Sequence, residues 1–220
     1  FNCYDLQGVT SATYVEGRCY AKNISLVNET TDGTPIRIGG AFANYKLKLT
    51  GFSGSKFNYI GWDAFANSTL YDTSITISGD SFAGGNIFRN TNVERVTIET
   101  NNIGYGIFKD CQHLAQVTYD SSVTTVSDGA FEGTNLASFD FSTTNIKTVG
   151  VRAFKGANLT SVNLSGLQRI NYRAFAYNNV SELYFPKSIN YLESGLFLGN
   201  TNLKKVTVAY DTLTSGTTIS

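Results

Sequence analysis

An aromatic residue returns along this chain at intervals of 19 to 23 residues, and that period limits the possible folds more than any other feature. Written in register, the second half reads VSDGAFEGTNLASFDF (126–141), VGVRAFKGANLTSVNL (149–164), INYRAFAYNNVSELYF (170–185) and LESGLFLGNTNLKKVTV (192–208). Each copy has an aliphatic residue, four variable positions and then Phe. A Leu or Val follows five or six residues later, and two apolar positions then alternate with polar ones. IGYGIFKDCQHLAQVTY (103–119), NIFRNTNVERVTI (86–98) and IGWDAFANSTL (60–70) fit the same frame. Phe42 heads a weaker copy. Tyr20 and Phe1 mark two degenerate ones. The proposed core anchors are Phe1, Tyr20, Phe42, Phe65, Phe88, Phe108, Phe131, Phe154, Phe175 and Phe197.

A unit of some twenty residues cannot bury its own apolar face, so it must stack on its neighbours into a continuous core. Each copy should supply a short strand of period two. In LTSVNL the residues Leu159, Val162 and Leu164 point inward while Ser161 and Asn163 face out. Strands of successive copies would then lie parallel at about 4.8 Å, with the Phe filling the layer behind them. The residue before the anchor is often Ala (Ala41, Ala64, Ala130, Ala153, Ala174), small enough to let turns approach. Gly61, Gly104 and Gly150 suit a bend. Asn92, Asn135, Asn158, Asn179 and Asn202 precede the first strand aliphatic, as residues that tolerate left-handed backbone and bond nearby main chain.

The frame I-G-x-x-A-F-x-x-x-x-x-L-x-x-V-x-L resembles the leucine-rich repeat of the BspA-like surface proteins. FKDCQHLAQV (108–117) is close to that repeat, including Cys111 three residues after the Phe. FPKSINYLESGLF (185–197) resembles its linking stretch. The resemblance implies an α/β-type leucine-rich repeat solenoid, a right-handed superhelix of strand-dominated coils. A parallel sheet would form one face, and short 3-10 or helical turns would close the coils. It divides the chain into degenerate capping repeats over residues 1–35 and the repeat array over 36–220. It also implies an extracellular or cell-surface protein that adheres to host matrix proteins or to other microbes.

Composition narrows the partners. Charged residues make up only 15% of the chain, and Lys+Arg equals Asp+Glu at 17 each. That leaves no basic footprint for nucleic acid or an anionic bilayer. No apolar run reaches the length of a membrane span.

Catalysis is not expected either. The single histidine, His113, stands in the slot that holds Asn in most copies. Without it no Ser-His-Asp or Cys-His arrangement can be assembled. GGAFA (39–43) and SGDSFAGG (78–85) lack the lysine and the spacing of phosphate-binding loops. The latter reads as an irregular linker with Phe82 plugging the core. Asp63, Asp80, Asp110, Asp128 and Glu132 are dispersed and form no calcium loop. No cofactor and no metal is expected.

Cys3 and Cys19 lie in the degenerate N-terminal copies. In an exported chain a disulfide between them would staple that cap; the other reading makes Cys19 a small buried residue beside Tyr20. Cys111 is expected to be buried and inert.

The broad strand face is the expected platform for a protein partner. Its central outward positions are Thr76, Thr97, Thr118, Asp140, Asn163, Tyr184 and Thr207, flanked by Glu94, Arg95, Gln116, Glu182, Lys204 and Lys205. Tyr172, Tyr177, Tyr184 and Tyr191 fall within one repeat and are a candidate hot spot, because Tyr gives large contact area at low entropy cost. Three function classes follow: an adhesion or protein-recognition module, a targeting or spacer segment of a larger surface protein, and an enzyme acting on glycans. The last needs grouped acids on one face, which the sequence does not offer.

Overall fold

A computed structural model of the chain describes residues 14–15, 23–27, 36–38, 42–44, 46–50, 57–78 and 84–209. The strands run β1 (Tyr14–Val15), β2 (Asn23–Val27), β3 (Ile36–Ile38), β4 (Lys46–Thr50), β5 (Phe57–Ile60), β6 (Thr69–Leu70), β7 (Ser74–Ser78), β8 (Arg95–Glu99) and β9 (Asn102–Ile103). They continue as β10 (Gln116–Tyr119), β11 (Thr125–Val126), β12 (Ser138–Asp140), β13 (Thr148–Val149), β14 (Ser161–Asn163), β15 (Arg169–Ile170), β16 (Glu182–Phe185), β17 (Tyr191–Leu192) and β18 (Lys205–Val208). Among the described residues every strand pairing is parallel, and each joins a strand to its counterpart in a neighbouring coil. This is a parallel β-solenoid with a leucine-rich repeat frame.

Two ladders run along it. The first, mostly of longer strands, forms the segments β2-β4-β6, β7-β8-β10, β12-β14 and β16-β18. Their inward residues include Ile75, Val96, Phe139 and Leu183 in one column and Ile77, Ile98, Phe141, Leu164 and Phe185 in the next, all buried. The second ladder, of short strands, runs β1-β3-β5 and then β9-β11-β13-β15-β17. It sets Ile103, Val126, Val149 and Ile170 in register, each buried. The aliphatic residue five positions before the anchor is therefore a strand residue in a second sheet, beyond the one sheet expected from the sequence.

The anchors stack. Phe65, Phe88, Phe108, Phe131, Phe154 and Phe175 have no exposed surface, and Phe42 has almost none. Neighbouring rings lie 5.2 Å apart for Phe65–Phe88 and Phe131–Phe154, and 5.8 Å for Phe108–Phe131, nearly parallel in each case. Among the described residues the column runs as far as Phe197, half-buried, 5.3 Å from Phe175. Phe1, Tyr20 and Phe82 lie outside the described residues.

Turns rather than helices carry these rings, and no helix occurs among the described residues. The backbone is left-handed two residues before and two after each anchor from Phe65 to Phe197: Asp63 and Asn67, Asn86 and Asn90, Gly106 and Asp110, Gly129 and Gly133, Arg152 and Gly156, Arg173 and Tyr177, Gly195 and Gly199. Gly, Asn and Asp hold most of these sites because they enter that region at least cost. The turn also joins the coils. The anchor amide donates to the carbonyl of the residue before the next anchor, as in Phe131 to Ala153 (2.7 Å) and Phe154 to Ala174 (2.8 Å). Ala64, Ala130, Ala153 and Ala174 are fully buried at this contact. Gly150 serves the same close approach rather than a bend, since a Cβ there would fall 2.5 Å from the Asp128 amide nitrogen.

Candidate recognition face

The long strands present their alternate residues outward in rows. Thr76, Thr97 and Thr118 are aligned across β7, β8 and β10, and Thr118 is exposed. Asp140 pairs in register with Asn163 on β12 and β14, and both are exposed. On β16 and β18 Tyr184 stands beside Thr207 and Glu182 beside Lys205. The Glu182–Lys205 pair is 3.8 Å apart and mostly solvated, so it contributes little to stability. Arg95 Nε donates to Gln116 Oε1 at 2.9 Å in the same outer layer. The hydrogen-bonded sheet is interrupted between β10 and β12, and there the Tyr119 hydroxyl donates to the Asp140 carbonyl at 2.7 Å.

The four tyrosines do not form one patch. Tyr184 lies on the long strand β16 and Tyr191 on the short strand β17, while Tyr172 and Tyr177 flank the Phe175 turn. Glu193 connects two of them, accepting the Tyr191 hydroxyl (3.0 Å) and the Tyr172 amide (2.7 Å). The Arg169 guanidinium sits 3.8 Å from the Tyr191 ring centroid and that of Arg173 4.9 Å from the Tyr172 ring. Sequence proximity within a coil does not say which face a residue takes, because the chain turns through the whole circumference in one repeat.

A buried polar row underlies the turns. Three residues after the anchors stand Ser68, Thr91, Cys111, Thr134, Ala157, Asn178 and Asn200, all buried. Their side chains cap the anchor carbonyls: Ser68 Oγ donates to Phe42 O, Thr134 Oγ1 to Phe131 O and Asn200 Nδ2 to Phe197 O. Where Ala157 breaks the row, Asn178 Nδ2 reaches back to Phe154 O at 2.8 Å while also bonding Phe175 O. Its Oδ1 accepts the Leu159 amide. Cys111 belongs to this row. Its thiol donates to Phe88 O at 3.0 Å and touches Thr91 Oγ1 at 3.4 Å. Burial pushes it up to about 11, so it is a protonated, poorly nucleophilic core group. Cys3 and Cys19, the candidate disulfide, lie outside the described residues.

The remaining candidates have structural surroundings. His113 is exposed in a turn. Asp128 Oδ1 accepts the Val151 amide at 2.7 Å. Glu132 sits between Lys109 (3.1 Å) and Lys155 (3.0 Å) on adjacent coils. Burial raises its pKa, but the hydrogen bonds from Lys155 and Lys109 outweigh that and hold the carboxyl below its ordinary value. The Asn row is a side-chain ladder: Asn158 Nδ2 donates to Asn135 Oδ1 and Asn179 Nδ2 to Asn158 Oδ1. Of these asparagines only Asn158 is left-handed among the described residues, so coil-to-coil bonding rather than backbone tolerance accounts for the row. No group of three or more His, Cys, Asp or Glu side chains able to hold a metal occurs among the described residues. No helix there is long and apolar enough to cross a membrane.

Comparison with known proteins agrees with the frame. The BspA type leucine rich repeat region matches in six copies across residues 81–204. No curated protein matches the chain. Among solved structures, a leucine rich cell surface protein from Faecalibacterium prausnitzii A2-165 is similar at 19% identity and a TM-score of 0.49. That match covers 89% of this chain and 71% of the other. The pneumococcal vaccine antigen PcpA is similar at 18% identity and a TM-score of 0.42, covering 90% of this chain and 47% of the other.

Proposed function

Because this chain belongs to the BspA type leucine rich repeat family, we propose that it is a noncatalytic protein-recognition module of a cell surface or secreted protein. It would engage host matrix proteins or microbial surface proteins through the outward side of its long strands. The observation that carries this reading is the register of Glu182 and Tyr184 with Lys205 and Thr207 on the face that continues through Asn163, Asp140, Thr118 and Thr97. The ladder fixes the backbone positions of these residues before a partner arrives, so no main-chain ordering is needed on binding. Tyr184, half in solvent beside Thr207 and next along the face from the Glu182–Lys205 pair, supplies the aromatic contact that interface centres favour. Residues 1–35 serve as the cap and 36–220 as the array in this proposal.

The test is surface plasmon resonance of the immobilised chain against matrix proteins and microbial surface extracts. Saturable binding is expected, weakened by about tenfold or more in Tyr184→Ala and unchanged in Arg152→Gly on the anchor turn. Absence of saturable binding across the panel, or equal affinity for wild type and Tyr184→Ala, argues against the assigned face.

A further inference from the structure

We infer that Trp62 and Tyr105 form a stacking shelf for the apolar face of a neutral sugar ring, at a site separate from the long-strand face. Trp62, Gly85 and Tyr105 each stand three residues before an anchor phenylalanine, at equivalent positions of successive coils. The middle member of this row has no side chain, and the indole occupies the vacated space. A Cβ on Gly85 would fall 2.5 Å from Trp62 Cζ3 and 2.8 Å from Cε3 and Cη2. The Trp62 ring therefore lies against the Gly85 backbone and reaches the Tyr105 ring on the coil beyond, with centroids 5.4 Å apart and planes tilted by 48°. Both rings keep about half their surface in solvent, at 54% for Trp62 and 50% for Tyr105.

The other half-exposed tyrosines of the anchor turns and short strands have cations against them: Lys155 by Tyr177, Arg169 by Tyr191 and Arg173 by Tyr172. The Trp62–Tyr105 pair has none among the described residues. Its indole N–H and phenol hydroxyl have no protein partner there either. Asp63, next to Trp62 in the chain, is already paired with Arg89 at 3.5 Å.

A ligand for this shelf needs an apolar face that can lie on an aromatic ring and a rim of neutral hydroxyls. A pyranose has both. Its axial C–H bonds would meet the electron-rich ring faces, and its hydroxyls the indole N–H and the Tyr105 hydroxyl. An extended proline-rich peptide needs a longer run of aromatic ridges than two rings supply.

Trp62 is the single tryptophan of the chain, so its emission reports this shelf alone. The full chain is titrated with cellotetraose, xylotetraose and mannotetraose. Saturable change in tryptophan emission is expected with at least one of them. Tyr105→Leu, which keeps bulk on the turn, should weaken that response by about tenfold at an unchanged unfolding midpoint. Tyr184→Ala on the long strands should leave it intact, so loss of protein binding and loss of sugar binding are read separately. The inference fails if emission does not saturate with any sugar at tens of millimolar. It fails equally if Tyr105→Leu binds as wild type, or if a polyproline peptide saturates the signal and the sugars do not.

Discussion

Arg152, Arg173 and Tyr177 hold left-handed backbone at φ values of 55, 54 and 57°, in slots that other coils fill mainly with Gly, Asn or Asp. A side chain with a Cβ in this region costs roughly 1–2 kcal/mol relative to right-handed backbone. The coil-to-coil hydrogen bonds of their own amides offset that cost, Arg152 N donating to Tyr172 O (2.9 Å) and Tyr177 N to Leu198 O (2.6 Å). Arg152 is exposed, so replacing it loses little packing. Arg152→Gly should stabilise the chain by about 0.5–1 kcal/mol, read as a higher midpoint in urea unfolding. A lower midpoint would mean that the arginine side chain contributes more than its backbone costs.

At the scale of the turn, polar groups set the spacing between coils as firmly as the rings do. Asn178→Ala leaves the Leu159 amide without its acceptor and strips a donor from the Phe154 and Phe175 carbonyls. It should cost about 1–3 kcal/mol in chemical denaturation; a loss as small as that of an exposed substitution would contradict the capping role. Glu132 gives the turns a pH dependence. Its folded pKa lies below the unfolded value, so its contribution is complete above about pH 4.3 and is lost as pH falls through the folded value. Glu132→Gln should flatten the acid limb of a stability profile in that window, and an acid limb parallel to wild type would contradict the Lys109–Glu132–Lys155 bridge.

How much of this the sequence revealed depends on the size of each signal. Alternation over Leu159, Val162 and Leu164 is long enough to read, and it places the long strands and their inner faces. Two-residue strands such as Thr148–Val149 are too short to show a period, which hid the second sheet. The left-handed sites flanking the anchors are filled by Gly, Asn, Asp, Arg and Tyr, so no single residue type marks them; their fixed offset from each Phe does. The buried row from Ser68 to Asn200 changes residue from coil to coil for the same reason, although Cys111 three positions after Phe108 was a visible trace of it. Trp62 and Tyr105 belong to different repeats, and only the glycine between them in space brings their rings together.

For the whole molecule, stability should behave as a chain of nearest-neighbour contacts. Phe154 touches Phe131 on one side and Phe175 on the other, at 5.2 and 5.4 Å, and Phe139 and Phe141 close around it at 4.9 and 5.8 Å. Phe154→Ala should therefore cost about 3–5 kcal/mol, whereas Thr118→Ala on the exposed row should cost under about 0.5 kcal/mol. Native-state hydrogen exchange of Phe154→Ala tests the stacked-ring account most directly. The account predicts lost protection at the Phe131, Phe154 and Phe175 turns, fading toward Phe88 and Phe197. Protection lost only at the substituted turn, or equally at all of them, would contradict it.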